Sequence, residues 1–134
     1  MHVAIIVDSS LPIGLIANTV ATIGIGIGSI ESGLGGTALT DAVGRTVRTS
    51  SNRPVPILQA NAEVIGALLL RALPAPTDSV IVPFPKFARN LHQFAEYLNE
   101  FPLRDLEGEI IEGIGLAGPE KWVRSLTGNL KLLR

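Results

Sequence analysis

The fold is decided by a stretch near the start of the chain, His2-Val3-Ala4-Ile5-Ile6-Val7-Asp8-Ser9-Ser10-Leu11-Pro12. The run from Val3 to Val7 is apolar and rich in β-branched residues, which is typical of a buried strand. Pro12 suits the first turn of a helix, and Ser10 is placed to cap that helix. Apolar residues then recur at helical spacing to about Gly26. The chain therefore begins with a strand that leads directly into a helix.

Strands and helices continue to alternate along the rest of the sequence. We predict strands at 57–60, 79–82 and 109–115, helices from Asn61 to Leu73 and at about 86–99 and 120–126, and a hairpin at 37–51. Such alternation indicates a largely parallel sheet with helices on both faces. We therefore expect a single α/β domain over residues 1–134, built as three α/β/α layers around a four-stranded mixed sheet with the first strand central.

Composition excludes several classes of function. The net charge of −1 provides no basic field for nucleic acid, and the aromatic content of 4% argues against a surface on which bases stack. The absence of cysteine excludes disulfides, thiolate metal sites and a cysteine nucleophile, and it fits a reducing cytoplasm. We expect a cytoplasmic protein that does not bind nucleic acid.

The segment from Ser9 to Ile30 carries no charged residue, so a membrane span has to be weighed. Asn18 and Thr22 lie near its centre, and neither end has a basic flank, which a membrane span or a signal peptide would favour. We expect instead a helix buried on more than one side, and no membrane association. Because one sheet face covers only one stripe of such a helix, we also expect a homodimer, or cover from the inserted segments.

The end of the chain carries the most specific motif, Ile114-Gly115, Gly118-Pro119 and then Leu126-Thr127-Gly128-Asn129-Leu130-Lys131-Leu132-Leu133. It resembles the closing strand, helix start and terminal segment of the type II peptidyl-tRNA hydrolases. Leu11-Pro12, Asn18 and the stretch Asp41 to Gly44 are more similar to a family of bacterial proteins of unknown function that share this fold. The resemblance implies a peptidyl-tRNA hydrolase II-like sheet of order 2-1-4-3, with the fourth strand antiparallel to the third.

The chain departs from the hydrolases where their chemistry lies. The hydrolases have a lysine directly after the helix-entry glycine and a histidine further along that helix, and the matching residues here are Leu15 and Thr22. Neither side chain is a general base near neutral pH. We therefore expect no peptidyl-tRNA hydrolase activity. The leading hypothesis is a non-hydrolase relative that binds a small ligand or a protein partner, and the alternative is an enzyme, such as a hydrolase, of unknown substrate with a rearranged site.

The candidate ligand-binding residues are Ser9, Ser10, Asn18, Thr22 and Asp41. The two serines follow the first strand, where an open α/β sheet leaves a crevice and a helix start attracts anionic or carbonyl groups. Asn18 and Thr22 are four residues apart on one helix face. Asn18 either ties the helix to a loop or lines the pocket. Asp41 forms a turn, or closes the site if the hairpin folds over it.

Other motifs have ordinary structural explanations. The glycines of Gly24-Ile25-Gly26-Ile27-Gly28 close a helix rather than open one, so they do not fit a nucleotide loop. His92 and Glu96 pair on a helix face that we expect to be solvated, and we expect no metal or cofactor. Lys86 and Arg89 fit either a small anion site or an ordinary first helical turn, and the second interpretation is favoured.

Overall fold

The computed structural model describes all 134 residues. The strands are β1 (His2–Asp8), β2 (Ala38–Thr40), β3 (Thr46–Arg48), β4 (Ile57–Ala60), β5 (Val80–Pro85), β6 (Ile111–Gly118) and β7 (Lys131–Leu132). The helices are α1 (Ile13–Ile30), α2 (Ala62–Ala72), α3 (Phe94–Glu100) and α4 (Glu120–Thr127), with short 3-10 turns at Ser32–Leu34, Lys86–Asn90, Phe101–Leu103 and Leu106–Gly108. The alternation of strands and helices is thus confirmed.

The main sheet is mixed and has five strands in the order β5-β6-β1-β4-β7. β1 pairs with β4 in parallel and with β6 antiparallel, and β6 pairs antiparallel with β5. The predicted central position of the first strand and the order of four strands are confirmed. The predicted count of four is wrong, because the tail adds β7, which pairs antiparallel with β4.

The side chains of β1 point alternately to the two faces of the sheet and pack into a separate hydrophobic core on each face. Ala4 and Ile6 pack among α2, α4 and β6, whereas Val3 and Ile5 pack with Ile23 and other residues of α1. This alternation has the period of two that is expected of a strand. Because both faces of the sheet are covered, the sequence of β1 is a continuous apolar run. The three-layer arrangement follows directly.

α1 packs tightly on β6 at two glycines, Gly113 and Gly115. A Cβ at Gly113 would lie 2.6 Å from Cγ2 of Thr19, and one at Gly115 would overlap Cγ2 of Ile23. Real Cβ atoms do not approach other atoms so closely, so glycine is needed at both positions for this packing. The close contact places Thr19, a polar residue of α1, directly against β6.

Three expectations about α1 are wrong. Within a single chain, only Thr19, Ile23 and Ile27 of the helix are buried, so the sheet covers one stripe and the inserted segments do not bury the other sides. The glycines at 24–28 do not end it, since it continues to Ile30. Ser10 does not cap it, because Asp8 accepts hydrogen bonds from the backbone N–H and the hydroxyl of Ser10. By length and composition alone, α1 could cross a membrane.

The segment that we expected to form one helix at 86–99 is broken. A 3-10 turn over Lys86–Asn90 gives way to extended residues at Leu91 and Gln93 before α3 begins. Phe87 turns inward and stacks on Tyr97 of α3, with ring centroids 5.7 Å apart. The two apolar faces therefore meet by folding back on each other rather than by sharing one helix.

Candidate ligand-binding site

A cluster of polar side chains lies beneath α1 near the carboxyl end of β1. Arg89 donates from Nε to Oε1 of Glu112 at 2.6 Å, and it donates from Nη2 to the hydroxyl of Thr19. Thr19 in turn donates to the carbonyl of Leu15 at 2.7 Å. The side chains of Arg89 and Glu112 are 14% and 8% exposed, and Thr19 is fully buried. We call Thr19, Arg89 and Glu112 the polar cluster.

A β-bulge aims Glu112 into this cluster. Phe84 pairs with Gly113 and Pro85 pairs with Ile111, so Glu112 is an extra residue in β6. A bulge breaks the alternation of the strand and re-aims a side chain, and bulges are frequent beside active sites. Without the bulge, Glu112 would point with Ile114 and Leu116 into the apolar core on the α2 face. The same register places Asp8 next to Glu112 across β1 and β6, since Val7 pairs with Gly113.

The polar cluster keeps unused hydrogen-bonding capacity. A guanidinium has five N–H donors, and the protein accepts from two nitrogens of Arg89, Nε and Nη2. Oε2 of Glu112 accepts no hydrogen bond from the protein and keeps some contact with solvent. The cluster therefore contains a donor and an acceptor that the protein itself does not pair.

A groove of about 360 Å³ borders the cluster between α1, β5 and the segment around α3. It is lined by the apolar residues Ile23, Val82, Pro83, Phe84, Ala88, Leu91 and Phe94 and by the polar residues Thr22, His92, Gln93 and Tyr97. We call it the β5 groove. Phe84 joins the two features, because its ring lines the groove and the guanidinium of Arg89 lies 4.4 Å from the ring centroid.

Tyr97 supplies the groove with a neutral donor. Burial raises the pKa of the Tyr97 phenol above its usual value of 10.0, because removal from water disfavours the phenolate. The hydroxyl therefore stays protonated throughout the physiological range. A mostly apolar groove with a few polar groups has the composition of a small-molecule site.

The structure brings some of the predicted residues together and separates others. Ser9 and Ser10 are exposed in the turn after β1, at the carboxyl edge where we expected them. Thr22 lines the β5 groove. Asn18 is exposed on the outer face of α1 rather than buried, so it neither ties the helix to a loop nor lines this groove. Of the predicted residues, Thr22 thus lines the groove from the middle of α1, Ser9 and Ser10 precede the helix, and Asn18 lies outside the groove.

Asp41 does not reach this region. Its Oδ1 accepts hydrogen bonds from the backbone N–H groups of Val43 and Arg45, and its Oδ2 pairs with the Arg45 side chain at 2.9 Å. These bonds, above all the backbone one from Arg45, hold the pKa of Asp41 below its ordinary value of 3.8. All residues of β2 and β3 are exposed, so the hairpin does not fold over the helix. Asp41 forms a turn, and the structure does not bring it together with Asn18 and Thr22.

The polar cluster itself was missed by sequence reasoning. Arg89 had been noticed beside Lys86, but the interpretation as an ordinary helical turn is wrong, because Arg89 is turned toward Glu112 and Thr19. Glu112 and Thr19 carried no signal beyond being polar residues within apolar segments. Nowhere do three His, Asp or Glu side chains come close enough together to hold a metal ion.

Comparison with known proteins agrees with the architecture and gives no activity. Residues 1–134 match the family described as "Protein of unknown function (DUF2000)". A solved structure of a protein of unknown function from Agrobacterium tumefaciens is similar, with a TM-score of 0.88 and 19% sequence identity over 98% of this chain and 96% of that chain. No curated protein matches. At this identity the similarity shows a shared fold alone.

Proposed function

Because the chain belongs to the DUF2000 family of proteins of unknown function, we propose a function from the site itself, which is to bind a small molecule in the β5 groove. The observation that carries this proposal is the mostly apolar β5 groove, whose wall residue Phe84 lies 4.4 Å from the guanidinium of the buried Arg89–Glu112 pair. A buried ion pair contributes little net stability, since desolvation offsets most of its attraction. Ligand recognition would explain why the protein keeps a buried ion pair that adds little to its stability.

The two parts of the site define the class of ligand. Phe84, Leu91 and Tyr97 present apolar and aromatic surface, which suits an apolar or aromatic body. The Arg89–Glu112 pair suits a polar end that both accepts and donates hydrogen bonds, such as a carboxamide or a protonated carboxyl group. Thr22, which lines the groove, would add a hydroxyl contact. Our proposed ligand is thus a small, neutral amide-like molecule.

We also propose that this fold is related to that of the type II peptidyl-tRNA hydrolases without sharing their activity. The strand order β4-β1-β6-β5, which is the order implied by the resemblance, supports the relationship. Leu15 and Thr22, which stand where the hydrolases have lysine and histidine, support the loss of activity. The groove would then be a binding site that evolved on a shared scaffold.

Benzamide is a suitable probe, since it joins an aromatic ring to a carboxamide. We expect titration followed by protein NMR to shift the backbone resonances of Thr22, Phe84 and His92. The double substitution Arg89→Met with Glu112→Met removes both charges and leaves neither partner unpaired, so the protein should still fold. It should weaken benzamide binding at least about tenfold, or ~1.4 kcal/mol.

The matched control is the exposed pair Arg124–Glu120, which lies on α4 away from the groove. The double substitution Arg124→Met with Glu120→Met should leave benzamide binding unchanged. The proposal fails if benzamide binds the Arg89/Glu112 double variant as well as the wild type, or if it shifts resonances outside the β5 groove only.

A further inference from the structure

We infer that a second cavity, on the other side of α1 from the β5 groove, binds a small molecule that carries an ammonium group. The cavity measures about 500 Å³ and lies between the carboxyl-terminal half of α1, the start of β1 and the base of the β2–β3 hairpin. Its volume is within the range of about 300–1,000 Å³ found for small-molecule sites. It shares no lining residue with the β5 groove.

Glu31 determines the charge of the ligand. It follows the last residue of α1, and its half-buried side chain lines the cavity without an ion pair or hydrogen bond in the protein. The carboxyl end of a helix has free carbonyl groups and a partial negative charge, so a carboxylate is disfavoured there and a cation is favoured. The last turn of α1 has no basic residue. Two negative features therefore meet at the cavity, and no cation of the protein is paired with Glu31.

The arginines of the neighbouring loops do not supply that cation. Arg48 donates from Nη1 to the carbonyl of Gly36 at 2.9 Å, and Arg53 donates from Nη1 to the carbonyl of Met1 at 2.9 Å. Neither forms an ion pair with Glu31. A ligand ammonium group would complete the charge balance that the protein leaves open.

Two glycines of α1 keep the cavity open. Gly24 and Gly28 line it, and a Cβ at either position would meet no atom within 4 Å. Neither residue has a positive φ, so neither backbone conformation nor packing inside the chain requires glycine. Glycine nevertheless weakens a helix relative to alanine. What the two glycines preserve is the space that larger side chains would fill.

The walls define the rest of the ligand. Val3, Ile5 and Ile27 provide an apolar floor, and Ser32 and Ser50 add hydroxyl groups that make no hydrogen bond within the protein. An apolar aliphatic or aromatic body therefore suits the floor, with the ammonium group directed to Glu31. Carboxylate and phosphate ligands are disfavoured, because they would face Glu31 and the negative end of α1.

Three probes of similar shape test this assignment by protein NMR at neutral pH, namely 2-phenylethylamine, 2-phenylethanol and 3-phenylpropanoate. We expect the amine to shift the resonances of Gly28, Ser32 and Gly35 and to bind at least about tenfold more tightly than the alcohol. The carboxylate should not bind. Equal affinity for the amine and the alcohol would overturn the assignment, as would shifts confined to the β5 groove.

Two variants separate charge from space. Glu31→Gln keeps the shape and should reduce the affinity for the amine to that for the alcohol, whereas Glu107→Gln, an exposed carboxylate outside the cavity, should change nothing. Gly28→Leu should abolish binding by filling the cavity, and it should raise the melting temperature, so lost binding cannot be ascribed to unfolding. Wild-type affinity for the amine in Glu31→Gln or in Gly28→Leu would contradict the inference.

Discussion

At the scale of single residues, Arg89 and Glu112 form the ion pair of this protein that is most shielded from water. Removal of one partner leaves the other charge buried and alone, so we expect Arg89→Met or Glu112→Met to lower the free energy of unfolding by about 3 kcal/mol. The double variant should recover most of this loss. The exposed pair Arg124–Glu120 is the control, and its single variants should cost less than ~1 kcal/mol.

Urea unfolding of the four single variants and the two double variants measures these differences. The losses of unfolding free energy in Arg89→Met and Glu112→Met should not add in the double variant. If they do add, the two side chains act independently, contrary to this account.

Single contacts differ in how far the sequence could predict them, according to the separation of the two residues along the chain. The cap of α2 was predictable, because Asn61 accepts from the N–H of Val64 only three residues away. Arg89 and Thr19 are 70 positions apart in the sequence, and Arg89 and Glu112 are 23 apart. Such contacts depend on the packing of α1 against β6 and on the bulge in β6, and no local pattern records either feature.

Leu15 and Thr22 lead to a second prediction at this scale. An assay of the purified protein on an N-blocked aminoacyl-tRNA should show no hydrolysis above background, because Leu15 and Thr22 stand where the type II peptidyl-tRNA hydrolases, which the sequence resembles, have lysine and histidine. Loss of a general acid or base alone typically removes about 10²–10⁴-fold of the rate. Turnover at an ordinary enzymatic rate would contradict this expectation and would require a base elsewhere, with Asp8 and Glu112 as the first residues to substitute.

At the scale of elements, α1 carries glycines with different surroundings. A Cβ at Gly24 would meet nothing within 4 Å, but one at Gly26 would lie 3.2 Å from Cγ1 of Val82. We therefore expect Gly24→Ala to raise the free energy of unfolding by about 0.5–1 kcal/mol through helix propensity and reduced freedom of the unfolded chain. Gly26→Ala should raise the free energy of unfolding by less, because Val82 of β5 has to move to make room for the new Cβ. Equal changes in thermal or urea unfolding would show that the contact with Val82 is irrelevant.

The same helix explains one failure of sequence reasoning about elements. Its apolar composition indicated burial on several sides, but composition reports the character of a side chain and not whether a neighbour covers it. The prediction of one helix at 86–99 was wrong for a related reason. The apolar spacing fits one helix, but Phe87 and Tyr97 can stack only when the segment bends. By contrast, β4 was predicted at its observed bounds, because turn residues flank it.

At the scale of the whole molecule, the arrangement of four strands was predictable and the fifth strand was not. The order of β5, β6, β1 and β4 followed from the resemblance carried by both ends of the chain. β7 has only two residues, Lys131 and Leu132, and so short a strand has no periodicity to detect. It is recognisable only from its pairing with β4.

The outer face of α1 predicts a homodimer. Ile13 and Ile25 are 85% and 71% exposed, and the β2–β3 hairpin, whose strands are themselves exposed, does not cover them. An apolar helix face of this kind is typical of a protein interface. We expect light scattering at micromolar concentration to give twice the mass of one chain for the wild type. The Ile25→Glu variant should give the mass of a single chain. A wild-type monomer would exclude the dimer, and sedimentation of the protein with lipid vesicles would identify a membrane as the cover instead.

Native mass spectrometry of gently purified protein tests the central claim most directly, because a binding protein should retain its ligand. The account predicts a small bound molecule on the wild-type chain and its absence from Thr22→Trp, whose indole would fill the β5 groove from an exposed position of α1. Gly28→Leu, which alters only the other cavity, should retain that molecule. A wild-type spectrum with the mass of the bare polypeptide, or a bound molecule that persists in Thr22→Trp, would contradict the β5 groove as the binding site.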